Sequence, residues 1–330
     1  MLTQKSNIGL DIGVSSIKLV ELLPISKTEN KYKLLNFSLQ PIINKKEEAL
    51  AEIINKAKSK NKFVNIAISG EPVIVRLITL PRMSQKELND SLKFEAEKYI
   101  PFNINEVEIQ AQILKEKASD NKMQVLLAAA KKKNIEELVS LITGTGANIN
   151  IIDVNSFAIY NAFEFSHPEF KETCLLLNIG AKSSNINILE EGALNFCRDI
   201  FIGGEAFTQT LANTFGLDQA KAENLKRNPQ EKKQEVLDAI RPVLFNLKSE
   251  LSSSIDYFES QTEKKINKIY LSGGGACSLD LNNFFKENFD IEVEIWDVLS
   301  VIDIDPALDA KELKRIKCQL VTAVGLALRS

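Results

Sequence analysis

Three observations predict an α/β fold of two lobes, each a mixed sheet flanked by helices, with a small α/β subdomain inserted in the first lobe. First, one strand–turn–strand pattern occurs once in each half. It reads Leu10-Asp11-Ile12-Gly13-Val14-Ser15-Ser16-Ile17-Lys18-Leu19, then Leu177-Asn178-Ile179-Gly180-Ala181-Lys182-Ser183-Ser184-Asn185-Ile186. Second, the chain opens in β-β-β-α-β order, which points to a mixed sheet. Third, 330 residues, 44% of them hydrophobic and 26% charged, suffice for two domains or one large two-lobed domain.

In chain order, residues 8–22 form the first hairpin and 32–39 a third strand. Leu50, Ile53, Ile54 and Ala57 have helical spacing within 47–57. Strands follow at 63–68 and 73–80. After Pro81, the sequence Ser84-Gln85-Lys86-Glu87 is a capping box that starts a helix. Leu88, Leu92, Glu95 and Tyr99 share one face of it, and Pro101 ends it. Residues 107–114 and 123–130 read as a strand pair, 135–142 as a helix stopped by Gly144 and Gly146, and 149–154 as a strand. Residues 81–150 are thus expected to form the inserted subdomain, with Phe94 and Tyr99 in its core.

A helix over 156–165 crosses towards the second lobe, whose hairpin begins at Cys174. A strand at 196–202, helices at 207–215 and 220–226, and a long helical pattern from Val236 to Phe258 follow. Pro242 is expected to break or restart that last helix. A strand at 266–271 leads into Gly273-Gly274-Gly275, then come a helix at 279–285, a strand at 291–295 and one closing apolar helix over 313–328.

Composition narrows the function classes. A net charge of −3 gives no basic excess for nucleic acid, and Lys131-Lys132-Lys133 reads as a solvated helix terminus. The four cysteines (Cys174, Cys197, Cys277, Cys318) lack CxxC spacing, and Cys174 and Cys318 are expected to pack as small hydrophobes. His167 is the only histidine and sits beside Pro168 in an expected connection, which argues against a histidine-based metal site or triad, while a hard cation held by carboxylate, water and phosphate stays open. The polar start reads as no signal peptide, and no run approaches the ~20 apolar residues of a membrane helix. Membrane association is expected only through a partner.

The repeated hairpins carry the chemistry. Gly13 and Gly180 sit where the turn requires positive φ or close backbone approach. Ser15, Ser16, Ser183 and Ser184 offer hydroxyls beside backbone N–H groups, a concave anion site. Two such sites, one per lobe, could clamp a polyphosphate. Asp11 and Asn178 interrupt apolar strands, which costs stability unless they are paired, hydrated or metal-bound. Gly273, Gly274 and Gly275 follow a strand and precede a helix, where backbone can approach a ligand; alone they read as a turn. Glu223 and Lys226 lie three apart on one helix face and alone read as a surface ion pair. Gly203-Gly204 alone reads as a loop.

The order of these elements resembles the actin-like ATPase superfamily, which includes sugar kinases, chaperone ATPases and the division protein FtsA. The inserted segment, with Leu80-Pro81-Arg82-Met83-Ser84 and Phe94-Glu95-Ala96-Glu97-Lys98-Tyr99-Ile100-Pro101-Phe102, resembles the PilM family of type IV pilus assembly proteins. So do Asp153-Val154-Asn155-Ser156-Phe157-Ala158, Ile202-Gly203-Gly204-Glu205 and Gly325-Leu326-Ala327-Leu328-Arg329. The resemblance implies 1–80 as first lobe, 81–150 as insert, 151–170 as connection, 171–310 as second lobe and 311–330 as a helix returning to the first lobe.

It also implies ATP and Mg2+ as cofactors. Gly13, Ser15, Ser16 and Lys18 would meet the phosphates from one lobe; Asn178, Gly180, Ser183, Ser184, Gly203 and Gly204 would lie on the other. Asp11 would hold Mg2+ through water, and Asp11 and Asp153 are the carboxylates expected to face magnesium or water. Glu223 and Lys226 would meet ribose and adenine, and Gly273, Gly274 and Gly275 would pack on base and sugar. Asn178 replaces the superfamily's usual Asp, and an amide is neither an anionic ligand nor a base, so ATP binding with weak or absent hydrolysis is expected. The implied role is a cytoplasmic scaffold of pilus assembly, peripheral at the inner membrane, binding the N-terminal peptide of a PilN-type membrane protein and other assembly components. The groove between first lobe and insert would receive that peptide. A small-molecule kinase of the same fold, or an FtsA-like filament former, are the alternatives.

Overall fold

The computed structural model describes residues 6–26, 30–119, 121–276 and 281–329. The first lobe opens with β1 (Asn7–Ile12), β2 (Ser16–Ser26), β3 (Lys31–Pro41), α1 (Lys46–Asn55) and β4 (Phe63–Ile68). Next come β5 (Val73–Pro81), α2 (Gln85–Ala96), β6 (Val107–Ser119), β7 (Lys122–Lys131), α3 (Lys132–Thr143), β8 (Asn148–Val154) and α4 (Asn155–Ser166). The second lobe contains β9 (Cys174–Ile179), β10 (Ser184–Glu190), β11 (Ala193–Ile200), α5 (Gly204–Phe215), α6 (Gln219–Arg227), α7 (Lys233–Thr262), β12 (Lys268–Ser272), α8 (Gly273–Ala276), α9 (Leu281–Asn288) and β13 (Glu292–Ile295). The chain closes with β14 (Asp303–Ile304), α10 (Ala310–Ile316) and α11 (Val321–Leu328).

Three sheets result, ordered β14-β3-β2-β1-β4-β8, β11-β10-β9-β12-β13 and β5-β7-β6. In the two larger sheets the hairpin strands pair antiparallel and the central neighbours β1/β4 and β9/β12 run parallel. Hairpin strands thereby end beside the carboxyl ends of parallel strands, where α/β sheets open their ligand crevices.

The third sheet and α2 form the insert, around Leu88, Leu92, Met123, Val125 and Leu127. Ser84 caps α2 through the reciprocal bonds of a capping box with Glu87. Two segments sit differently from the sequence expectation. The strand read at 73–80 and assigned to the first lobe is part of β5, which pairs with β7 in the insert. The helix α3, assigned to the insert, places Ile142 in the first-lobe core with Leu10, Leu50 and Ile66. Phe94 is also not core. It is 67% exposed, because Leu88, Leu92 and Ala96 form the buried stripe of α2 and Phe94 lies off it.

Two helices behave unlike their sequence signals. The helix α7 runs 30 residues through Pro242 without ending. Its buried stripe of Ile240, Leu244, Leu247, Leu251 and Ile255 lies in the core of the five-stranded sheet, and that burial outweighs one missing N–H. The closing helix is interrupted: α10 stops at Ile316, residues 317–319 form a 3-10 turn, and α11 resumes at Val321. Residues 303–304, within the span assigned to the second lobe and not read as a strand, form β14, which pairs with β3 of the first.

The lobes share a continuous core. Val20, Leu22 and Leu34 of the six-stranded sheet, Ile159 and Phe163 of α4, Val324 of α11, and Leu176 and Tyr270 of the five-stranded sheet belong to one cluster. At the crossing of α11 and α4, a Cβ on Gly325 would lie 1.8 Å from the Ala158 carbonyl oxygen. Only glycine allows that approach.

Candidate functional site

The two hairpin turns have the same construction. In the first, Ile12 faces Ile17, and the Gly13 N–H donates to the Ser16 carbonyl at 3.1 Å. In the second, Ile179 faces Ser184, and the Gly180 N–H donates to the Ser183 carbonyl at 2.9 Å. In both, a Cβ on the glycine would sit 2.8 Å from the carbonyl oxygen it bonds. Close backbone approach therefore selects the glycines; neither is among the positive-φ glycines of the described residues. Ser16 and Ser183 are structural equivalents, Ser15 matches Lys182, and Ser184 takes the place of Ile17.

The cross-strand neighbours of the turns differ in charge. Asp11 lies opposite Lys18, and their side chains form a 3.0 Å ion pair that is largely shielded. Lys18 is therefore already committed to Asp11 rather than held as a bare cation. In the second hairpin the same register places Asn178 opposite Asn185. The Asn178 amide donates to Ser272 Oγ at 2.9 Å, tying β9 to β12 where the glycine run begins.

Three glycine segments converge on the second turn. Gly273, at φ +89°, would place a Cβ 2.4 Å from the Ile179 carbonyl oxygen, and a Cβ on Gly275 would meet Ile179 Cγ2 at 2.3 Å. The third segment is Gly203-Gly204. The Gly204 N–H donates to Gly180 O at 2.9 Å, the Glu205 N–H donates to Ala181 O at 2.8 Å, and a Cβ on Gly203 would lie 2.6 Å from Ala181 O. These two N–H groups at the start of α5 are thus spent on the turn; the segment braces the turn rather than offering free donors. Ser184 is similarly occupied, being fully buried and donating to Ile202 O at 2.7 Å.

Glu223 and Lys226 form more than a surface pair. The Lys226 ammonium is buried and donates to Gly204 O at 2.9 Å, Thr208 Oγ1 at 2.7 Å and Glu223 Oε2 at 2.5 Å. Glu223 also accepts from Thr208 at 2.6 Å and from Arg227 at 2.7 Å. Burial pushes the Glu223 carboxyl up, but hydrogen bonds from Lys226 and Thr208, with the nearby positive charge, hold it below its ordinary value. This network locks α6 onto α5 behind the second turn. Lys226 points into it, while the Glu223 side chain stays partly exposed.

Asp153, next to last in β8, lies level with Ala67 of β4, one residue beyond Ile66, which pairs with Leu10 of β1, the neighbour of Asp11. By the spacing of adjacent strands, β1 and β8 lie roughly 10 Å apart, with β4 between them. The Asp153 carboxylate is 4% exposed; Oδ1 accepts the Val154 N–H at 2.8 Å and Oδ2 lies 3.1 Å from Arg329 Nε. Burial raises its pKa, partly offset by Arg329 and the Val154 N–H. With Asn65, whose amide donates to the carbonyls of Leu326 and Arg329, it anchors the end of α11. No sequence pattern signalled Arg329, Thr208 or Asn65 for these positions.

A separate groove of about 390 Å3 opens between insert and lobes. Val75 and Arg76 of β5, Phe102 after α2, Ser156 of α4, and Asp199 and Phe201 in and after β11 line it. Both β5 and β11 are edge strands of their sheets, and Phe201 is 56% exposed. Asp199 ties the sides together, accepting from the Gly70 N–H at 3.3 Å and from Asn185 at 2.7 Å. Cys197 at the floor is kept a neutral thiol, with burial and Asp199 pushing its pKa up to about 12.

The remaining chemistry is sparse. Among the described residues no group of three or more His, Cys, Asp or Glu could hold a metal, and no helix is long and apolar enough to cross a membrane. His167 stacks on Phe163 at 4.4 Å within an aromatic cluster, and burial lowers its pKa. Cys318 is buried as expected but is disulfide-bonded, a state its spacing did not signal.

A family model for the type IV pilus assembly protein PilM matches residues 9–330. Among solved structures, the chain is similar to the PilM-PilN type IV pilus biogenesis complex at 29% identity and TM-score 0.87, over 99% of this chain and 98% of that one. It is also similar to the ethanolamine utilization protein EutJ from Carboxydothermus hydrogenoformans, at 15% identity and TM-score 0.59, over 100% and 91% of the two chains. MreB 5 of Spiroplasma citri bound to AMPPNP matches at 12% identity and TM-score 0.50, over 97% and 94%. The last two likenesses concern the fold alone.

Proposed function

The chain belongs to the PilM family of type IV pilus assembly proteins, with an actin-like ATPase fold, and we propose that it is a nucleotide-binding scaffold that captures a PilN-type partner. The observation that carries this reading is the match to the PilM-PilN complex over 99% of the chain. The partner is the N-terminal peptide of the PilN-type protein, and the groove at Val75, Phe102 and Phe201 is its receptor. Its apolar walls suit apolar side chains, while Arg76 and Asp199 fix an extended main chain. The scaffold then sits at the inner membrane through its partner.

ATP is the ligand of the paired turns. Glycine keeps both turns tight, because a Cβ at Gly13 or Gly180 would lie 2.8 Å from the carbonyl that closes the turn, and a tight turn of this kind is the sort of concavity that receives a phosphate. Mg2+ would arrive with the phosphates, since the described residues supply no three-ligand cage; Asp11 is the first-lobe carboxylate that could contact its water shell. Bound ATP supplies a bridge between lobes and a cleavable γ-phosphate. Asn178 offers an amide where a carboxylate would orient an attacking water, so the reading assigns binding with little hydrolysis.

Titration with a synthetic PilN-type N-terminal peptide tests the groove. Phe201→Ala, at an exposed position, should weaken peptide binding about tenfold while leaving the melting temperature unchanged. Unchanged peptide affinity in that variant would move the receptor elsewhere.

A further inference from the structure

The break between α10 and α11 has a structural counterpart on the glycine run. Two consecutive residues of the 317–319 turn lie against it. Cys318 Sγ is 3.7 Å from Gly273 O, and Gln319 Oε1 would be 3.4 Å from a Cβ at Gly274, with Gln319 Cδ at 3.7 Å. Gly273 and Gly275 turn towards Ile179, inside the lobe, whereas Gly274 faces Gln319. The Gln319 side chain is only partly buried, and its amide makes no hydrogen bond among the described residues.

We propose that Gln319 is a specificity-determining residue of the nucleotide site, reading the base that lies on Gly274. This rests on the assignment of the paired turns to ATP. A side-chain amide presents one acceptor and one donor side by side. That pair matches the exocyclic amino group and N7 of adenine, while the corresponding edge of guanine presents two acceptors and leaves the amide oxygen facing one of them. Gly274 keeps the base close enough for the amide to reach, because any side chain there would meet Gln319 first. The chemistry recognised is therefore a 6-aminopurine nucleotide.

The test measures binding of ATP, GTP and 7-deaza-ATP, each with Mg2+, to the full chain by calorimetry, with the melting temperature as a folding control. The wild-type protein should prefer ATP over GTP and 7-deaza-ATP by about tenfold or more. Gln319→Leu should weaken ATP by about tenfold, leave GTP within about threefold of wild type and so erase the preference. Gln319→Lys, which supplies donors only, should tilt the ratio towards GTP. If wild type binds ATP but Gln319→Leu keeps the full preference, Gln319 does not read the base while the ATP assignment stands. If wild type binds no nucleotide, the assignment and this inference fall together. Both variants change a partly exposed side chain, so a folding failure would itself show Gln319 to be structural and overturn the proposal.

Discussion

Gly325→Ala separates two physical effects by sign. Inside a helix, alanine is favoured over glycine by about 1 kcal/mol, so propensity alone predicts stabilisation. The added Cβ, however, would lie 1.8 Å from the Ala158 carbonyl oxygen. A carbon–oxygen contact needs roughly 3.3 Å, so α11 would have to retreat from α4 by about 1.5 Å. It has no room to do so. On its sheet side, a Cβ at Gly9 of β1 would already lie 2.0 Å from Ala323 O, showing that strand and helix are in direct backbone contact. Overpacking of this kind costs about 1–3 kcal/mol, and here it falls on the core shared by both lobes. With the upper end of that cost, about 3 kcal/mol, for a contact this short, less the propensity gain of about 1, the net loss is about 2 kcal/mol and should lower the melting temperature by roughly 4–8 °C. Urea denaturation of wild type and variant side by side gives the free-energy difference. A variant equal to or more stable than wild type would refute the close-approach account of the α4–α11 crossing.

Gly13→Ala and Gly180→Ala should each force their turn open, since the new Cβ meets the closing carbonyl at 2.8 Å; ATP affinity should fall about tenfold in each, read by calorimetry. Asp153→Asn tests burial of a carboxylate. The folded pKa is raised above the ordinary 3.8, so between those two values the folded state holds more protons than the unfolded chain. Stability from this group therefore falls as pH rises through that interval, and the wild-type-minus-variant difference should decline from about pH 4 upward. A difference independent of pH would contradict a raised pKa. Asn178→Asp restores a carboxylate beside the second turn, and steady-state phosphate release should rise above wild type; no change would mean that Asn178 does not limit hydrolysis.

Much of the architecture was legible because glycine and alternation leave strong traces. The two Leu-x-Ile-Gly turns located both hairpins, and the capping box at Ser84 located the start of α2 to the residue, although the helix ends at Ala96 rather than at Pro101. What failed was assignment of elements to partners. Alternation in 73–81 marks a strand, but only pairing with β7 shows which sheet owns it. The apolar run over 313–328 hid a turn at 317–319, whose Cys318 packs against the glycine run some forty residues upstream. Phe94 could have been read correctly from the Leu88, Leu92, Ala96 stripe, which leaves it off the buried face. At the site, the glycines were legible and the side chains less so. Ser184 and Lys226 fit a phosphate and ribose pattern in sequence, yet the structure spends them on Ile202 and on Gly204 with Thr208. A residue type states what a group can bond to; the fold decides which partner arrives first.

Calorimetric titration of the full chain with ATP and Mg2+, repeated with Asp11→Ala and in the presence of the PilN-type peptide, tests the account most directly. Saturable ATP binding that Asp11→Ala weakens is expected, with peptide binding that the same substitution leaves intact, because the groove and the turns are built from different residues. Absence of ATP binding to the wild-type chain would contradict the claim that the paired turns hold a nucleotide, and peptide binding lost with Asp11 would contradict two separate sites.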